Sequence, residues 1–328
     1  MKLNAPDYYK KFKCIAEKCR HSCCIGWEID IDSDTLEYYE ELCEDFPKNP
    51  VCERLRKCVS FGEDAHFILT EKDRCPFLNE SGLCDIITQF GEDALCDICA
   101  DHPRYRNYFS DRTEIGLGLC CEAAGRLILG RTEKTRIITL ESDSENESLT
   151  SQEEEFFVLR EKVLQILQDR KMSIDERIIK MLSSCPATLP NYSNAELADL
   201  FLSLERLDSE WDSYLLTLKN APDTTALPTQ LIISCDSEEK EQAQVTFETV
   251  SEQLLVYFLL RHSRLEDSES NLPKAVLFTA LSYELFRRLC AVLYEEKGTL
   301  TLDDIVELAR LYSSEVEYSD ENINKLMG

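Results

Sequence analysis

The chain has 328 residues, 43% of them hydrophobic and 30% charged, and a formal net charge of -27. That length holds one large domain or two ordinary ones, and the apolar content is enough for a packed core, which excludes a disordered polymer. The acidic balance excludes nucleic acid as a partner, because phosphate binding needs a basic face.

No apolar run approaches the roughly 18 residues of a membrane span, and residues 1–7 lack the apolar core of a signal peptide. The expected compartment is the reducing cytoplasm, where 16 cysteines point to metal or redox chemistry rather than to disulfides. Thirteen of them lie between Cys14 and Cys121. Cys185, Cys235 and Cys290 are scattered beyond and read as ordinary buried thiols.

In chain order, Tyr8, Tyr9 and Phe12 are expected to anchor the first segment onto the cysteine region. Cys14, Cys19, Cys23 and Cys24 then fall within eleven residues. Adjacent cysteines rarely bridge one another, because disulfide geometry is demanding. Crowding of this kind is what a metal centre needs: soft thiolates converging on one point. Lys10, Lys11, Lys13, Lys18 and Arg20 surround the first two, and positive charge there would lower thiol pKa, with a solvated basic stretch as the plainer alternative. Gly26 permits a sharp exit. Residues 28–32 alternate as a short strand or extended arm, and Asp32 or Ser33 caps a helix over 34–45. Asp30, Asp32 and Asp34 lack the glycine and closing glutamate of a calcium loop, which excludes an EF-hand. Pro47 and Pro50 break the helix, and a shorter helical piece carries Cys52 and Cys58. With Cys43, these lack tight ligand spacing and read as structural.

Residues 66–70 read as a strand. Cys75 and Cys84 flank the turn 79–82, a knuckle that presents two sulfurs to one metal. A helix is expected over 85–95, weakened by Gly91. Cys96-Asp97-Ile98-Cys99 follows, and behind a four-cysteine cluster and a knuckle it reads as a metal-ligating pair. Cys120 and Cys121 open another helix, and 131–140 is a short extended piece. Residues 141–155 hold seven acidic residues and no basic ones, which reads as a linker. Beyond it the periodicity is helical over 156–167, 174–182, 195–218, 245–261, 274–295 and 302–312, with 231–234 a short strand or connector. The expected fold class is mainly α: a cysteine-rich metal-binding domain with short strands over 1–140, the acidic linker 141–155, and an all-helical domain over 156–328.

No glycine-rich dinucleotide fingerprint, P-loop or serine nucleophile elbow is present. The four histidines, His21, His66, His102 and His262, leave little for a histidine general base.

Four motifs carry a resemblance. They are Phe12-x-Cys14-x4-Cys19-x3-Cys23-Cys24-x-Gly26-Trp27; Cys75-Pro76-Phe77-Leu78 with Gly82-Leu83-Cys84; Cys99-x3-Pro103-Arg104; and Cys121-Glu122-Ala123-Ala124-x-Arg126. In this order they resemble the flagellin lysine-N-methylase family, and the cysteine half is also similar to a broader group of zinc- or iron-chelating proteins. The resemblance is strong over about the first 130 residues and weaker at 253–258 and 314–319. The family often has histidine where Tyr318 stands, so Tyr318 is given no metal-binding role. Carried over position by position, the resemblance implies eight ligands: Cys14, Cys19, Cys23, Cys24, Cys75, Cys84, Cys99 and Cys121. Cys96 and Cys120 match less consistently. Eight thiolates exceed one four-coordinate site, leaving two zinc ions, a cluster plus zinc, or one cluster with spare thiols. The resemblance favours an iron-sulfur [4Fe-4S] cluster, with zinc as the alternative. A structural role for the metal comes ahead of a catalytic one, because most multi-cysteine clusters in compact folds hold the fold together. His21 and His102 are candidate hydrogen-bond partners behind the ligands.

The resemblance further implies a cytoplasmic protein-lysine N-methyltransferase that moves methyl groups from S-adenosylmethionine to lysines of flagellin, the subunit of the bacterial flagellum, with no nucleic acid or membrane partner. Glu28, Asp30, Glu315, Glu317 and Tyr318 are the candidates to hold the amine. The alternative is a non-enzymatic metal-binding or redox-sensing module with a helical interaction domain. The residues after Arg126 hold 20 basic and 38 acidic side chains, a net of -18 of the total -27, so the flagellin contact is expected there.

Overall fold

In the computed structural model every residue is described except 63, 143–147, 229, 235–244 and 267–268. Cys235 therefore lies outside the described residues. By packing, the chain divides into two units: residues 1–12 together with 105–328, and the intervening 13–104. The division differs from the boundary expected at 141–155.

The chain opens with strand β1 (Lys2–Pro6). In the 13–104 unit, α1 (Ser33–Asp45) begins where Asp32 accepts the Thr35 amide at 2.8 Å. That cap meets one of the orphan donors of the first turn, as the sequence led us to expect. Helix α2 (Pro50–Cys58) starts from an Asn49 cap with proline in its first turn, where no N–H is missed. Strands β2 (Val59–Ser60) and β3 (His66–Phe67) pair antiparallel. The arm at 28–32 lies against β3, with Phe67 donating to Ile29 and Ile31 to Ala65. The helix expected over 85–95 stops early: α3 is Asp85–Phe90, because Gly91 turns to φ +92 and a single tight turn follows. Helix α4 is Asp97–Asp101. Ile29, Tyr39, Leu55, Phe67 and Phe77 form the centre of this unit's core.

The larger unit holds a four-stranded sheet that the sequence did not disclose. Its order is β4 (Arg104–Tyr108), β5 (Arg112–Leu117), β1, β6 (Ile137–Ser142). β1 runs parallel to β5, with Leu3 opposite Thr113, and antiparallel to β6, with Ala5 opposite Ile138. Between β5 and β6 lies α5 (Glu122–Leu129).

Both ends of the expected linker belong to regular elements. Glu141 and Ser142 are in β6, and Ser151–Glu155 open α6 (Ser151–Leu167). Its Glu153 is buried, closes a capping box with Thr150 and accepts the Ser110 amide at 2.7 Å. The stretch at 143–147 lies outside the described residues.

Helices α7 (Ile174–Ser184), α8 (Asn194–Leu202) and α9 (Ser209–Asn220) follow. The single helix expected over 195–218 is two, because the break at 203–208 is held by a distant side chain: Glu315 accepts the amides of Leu207 and Asp208 at 2.7 and 2.8 Å. Helices α10 (Phe247–His262) and α11 (Leu272–Lys297) are buried on nearly every face and form the centre of the unit, as apolar character all round a helix requires. Helix α12 (Leu302–Tyr312) runs into a wide turn over Ser313–Glu317 with five-residue hydrogen-bond spacing, and α13 (Asp320–Met327) follows. A two-residue hairpin, β7 (Leu265–Glu266) and β8 (Glu269–Ser270), interrupts the otherwise helical region. Among the described residues no helix is long and apolar enough to cross a membrane.

Candidate metal centre and a buried carboxylate cluster

The backbone of the 13–104 unit brings separate cysteines together. Cys75 donates its amide to the Cys24 carbonyl at 2.8 Å, beside an antiparallel bridge of Ile25 with Arg74. Asn79 accepts the amides of Ser81 and Leu83, and Gly82 takes φ +77, so the knuckle turn returns Cys84 to a bridge with Leu78. Cys84 and Cys96 stand at the N-terminal ends of α3 and α4, and Cys99 lies on α4.

The thiols sense one another. Cys24 is held down at about 7 by a hydrogen bond with Cys23, against the opposing effect of burial, with help from Ser22 and Arg74. Burial pushes Cys75 up to about 12, and the neighbouring Cys24 and Cys84 push in the same direction. Burial also raises Cys84, and Cys24 adds to it. Cys99 is raised by its hydrogen bond with Cys96, then by burial and by Cys24 and Cys75; the same bond lowers Cys96. Cys23, Cys24, Cys75, Cys84, Cys96 and Cys99 thus form one electrostatically linked group. The depression of Cys24 comes from Cys23, Ser22 and Arg74.

The other expected ligands are placed differently. Cys14 is exposed and accepts the Ala16 amide at 3.4 Å, and Cys19 donates to the His21 carbonyl at 3.1 Å. Cys121 belongs to the larger unit, at the start of α5. His102 faces Trp27, ring centres 6.1 Å apart. Cys43 and Cys52 bond to carbonyls across the α1–α2 contact, the structural role expected of them. The donor chemistry of the linked group fits a thiophilic metal. Among the described residues, no three His, Cys, Asp or Glu side chains stand in a coordinating arrangement.

A second cluster lies in the larger unit. Glu317, at the end of the wide turn after α12, is buried. It accepts from His262 Nε2 at 2.6 Å and from the Tyr257 hydroxyl at 2.8 Å, and Arg261 Nε lies 3.3 Å away. Arg261 also donates to Tyr257 at 3.0 Å and to the Glu317 carbonyl at 3.3 Å. Its guanidinium lies over the rings of Tyr105 and Tyr318. Burial opposes ionisation of Glu317, but Arg261 and His262 overcome it and hold the carboxyl at about 2. Burial pushes the His262 pKa down, so the ring is neutral and donates from Nε2. Tyr318, 49% exposed, accepts the Cys120 thiol at 3.0 Å. Gly118 makes room for this: a Cβ there would come within 2.8 Å of Arg261 Nη1 and 3.0 Å of the Tyr318 oxygen.

Of the residues expected to hold an amine, Glu315 is spent on the 207–208 amides and Glu317 on Arg261, His262 and Tyr257. Glu28 is exposed, 3.8 Å from His66, and Asp30 forms a backbone bridge with His66. Tyr257, Arg261 and His262 were not among the expected site residues, and Cys120 was expected only as a weaker match to the metal ligands. The available signal was the polar pair Arg261-His262 closing the apolar run 254–260.

Residues 191–328 match the FliB lysine N-methylase C-terminal domain. The resemblance to the lysine-N-methylase family is borne out. Tyr257, Arg261, His262, Glu317 and Tyr318 all lie in the matched stretch, and the linked thiols lie outside it. A lysine-N-methylase of Salmonella typhimurium is 26% identical over 155 residues, 41% of this chain and 36% of that protein. The corresponding protein of Salmonella choleraesuis gives the same identity and coverage. The flagellar biosynthetic protein FliU of Salmonella muenchen is 24% identical over 131 residues, 38% of this chain and 76% of that protein. The match thus spans about a third of the length of the lysine-N-methylases. No solved structure matches the chain.

Proposed function

We propose that this chain is a protein-lysine N-methyltransferase that methylates flagellin lysines in the cytoplasm, with S-adenosylmethionine as the consumed methyl donor. The observation that carries this reading is the match of residues 191–328 to a lysine N-methylase domain whose buried polar centre is Glu317. The donor supplies an electrophilic methyl group on a sulfonium. The amine attacks with its lone pair, so it must arrive neutral and in line: the N–C bond forms as the S–C bond breaks, and the nitrogen loses a proton. Glu317 cannot take that proton, because its carboxyl is held at about 2; it fixes Arg261 instead. Tyr318 is the exposed member of the cluster, set by the Arg261 stack and the Cys120 thiol, and its phenol oxygen is the group that orients the amine.

Cys23, Cys24, Cys75, Cys84 and Cys99, with Cys96, are the residues that would hold a metal, as a [4Fe-4S] cluster or zinc. In the reading favoured here the metal supplies structural cross-linking of the 13–104 unit, since thiolate–metal bonds stabilise a small fold directly.

The test is co-expression with flagellin from the same source and mass measurement of the flagellin. Additions in methyl-sized steps, lost on Tyr318→Phe, support the reading. Unmodified flagellin beside folded protein moves the assignment to a metal-binding or redox-sensing module, which the Cys24 thiol near 7 and the Cys96–Cys99 bond favour.

A further inference from the structure

The 13–104 unit carries an open groove of about 380 Å³ between α1, α2 and the strand that follows. Its floor is apolar, made by Leu36, Cys43, Leu55 and Val59. Phe61, 55% exposed, stands at one edge. Glu40 and Glu44, one helical turn apart on α1, form the opposite wall.

The charges around the groove are unbalanced. Helix α1 holds Asp34, Glu37, Glu40, Glu41, Glu44 and Asp45 and no basic residue. Among the described residues Glu40 and Glu44 make no ion pair. Arg56 lines the groove, but its guanidinium is taken by the carbonyls of Cys43 and Pro47. Glu44 and Asp45 sit at the negative end of the helix dipole, where a carboxylate is disfavoured and a cation favoured. An incoming cation would relieve this, and apolar side chains beside it would fill the floor. A second copy of this chain is a poor occupant, because a net charge of -27 sets like against like.

We propose that this groove docks a lysine-rich segment of a partner protein, with apolar side chains seated on Leu36, Leu55 and Val59 and lysines against Glu40 and Glu44. The groove is built from residues of the 13–104 unit alone, and binding there does not depend on methyl transfer.

The test uses the full chain and fluorescein-labelled twelve-residue peptides read by anisotropy. One peptide alternates Lys and Leu, a second replaces Lys with Glu, and a third replaces Leu with Ser. The Lys-Leu peptide is expected to bind and to weaken as salt rises. Glu40→Lys/Glu44→Lys should lose at least tenfold in affinity. The matched reversal Glu296→Lys/Glu321→Lys, at exposed positions of the larger unit, should change it less than twofold. Phe61→Ser, exposed and so compatible with folding, should weaken binding while the melting temperature stays at the wild-type value. Equal loss from the two double reversals would reduce the effect to net charge and overturn the groove. Equal binding of the Lys-Ser peptide, or binding of the Glu-Leu peptide, would do the same.

Discussion

Glu317→Gln isolates the buried cluster of the larger unit. The substitution keeps the side chain's shape and removes its charge, leaving Arg261 buried among Tyr105, Tyr257 and Tyr318 without its anion. Removing one partner of a buried pair costs about 3–5 kcal/mol. The proton linkage gives a similar figure. Moving a carboxyl from 4.5 to about 2 on folding is worth about 3 kcal/mol at 1.36 kcal/mol per pH unit. The sign is fixed by that depression. The contribution is fully present above pH 4.5, the unfolded value, and is lost as pH falls through about 2. The gap between wild type and variant should therefore be wide at pH 7 and narrow between pH 4.5 and 2. The assay is urea unfolding followed by Trp211 fluorescence in a Trp27→Phe background. Trp211 is buried in the same unit, with its ring 6.1 Å from Tyr312, and the chain has no third tryptophan. A variant within about 1 kcal/mol of wild type at pH 7, or a gap that does not narrow in acid, would refute the assignment of Glu317 as a buried ionised anchor.

Three further outcomes are expected. In metal-free protein Cys24 should be alkylated by iodoacetamide with a rate that rises through a midpoint near pH 7, while Cys75, pushed up to about 12, stays unreacted; mass mapping of the adducts checks this. Replacing Cys23 and Cys24 with serine should lower iron or zinc content after anaerobic purification and destabilise the 13–104 unit, whereas Cys185→Ser or Cys290→Ser should leave metal content unchanged. Arg160→Leu should cost about 3–5 kcal/mol, because it strands the buried Glu114, which Arg160 holds with two bonds at 2.6 and 2.7 Å; thermal unfolding measures it.

Much of the helical layout was legible because its signals are local. Asp32 before α1, Pro47 after it and Pro50 at the start of α2 act within one turn of the residues they govern. What was illegible depends on residues far apart. β1 has no alternation and ends in proline, and its partners lie more than a hundred residues away, so nothing in Lys2–Pro6 announces a sheet. The break between α8 and α9 is made by Glu315, and composition alone gave 141–155 as a linker although Glu153 is a buried cap. At the site, Cys23, Cys24, Cys75, Cys84 and Cys99 of the eight expected ligands influence one another electrostatically, while Cys14, Cys19 and Cys121 stand apart from them. Glu317 was marked as an amine holder because its partners Arg261 and His262, more than fifty residues earlier, could not be paired with it from sequence.

The position of β1 has a consequence for biosynthesis. The strand is made before both of its neighbours, which do not exist until residues 112–117 and 137–142 have been synthesised. Meanwhile the whole 13–104 unit emerges and has every partner it needs for its own core. The order of completion is therefore the reverse of the order of first appearance: the inserted unit can be finished while the older strand is still waiting, bare-edged, for its sheet. A pause in translation between residues 104 and 142 would prolong that wait.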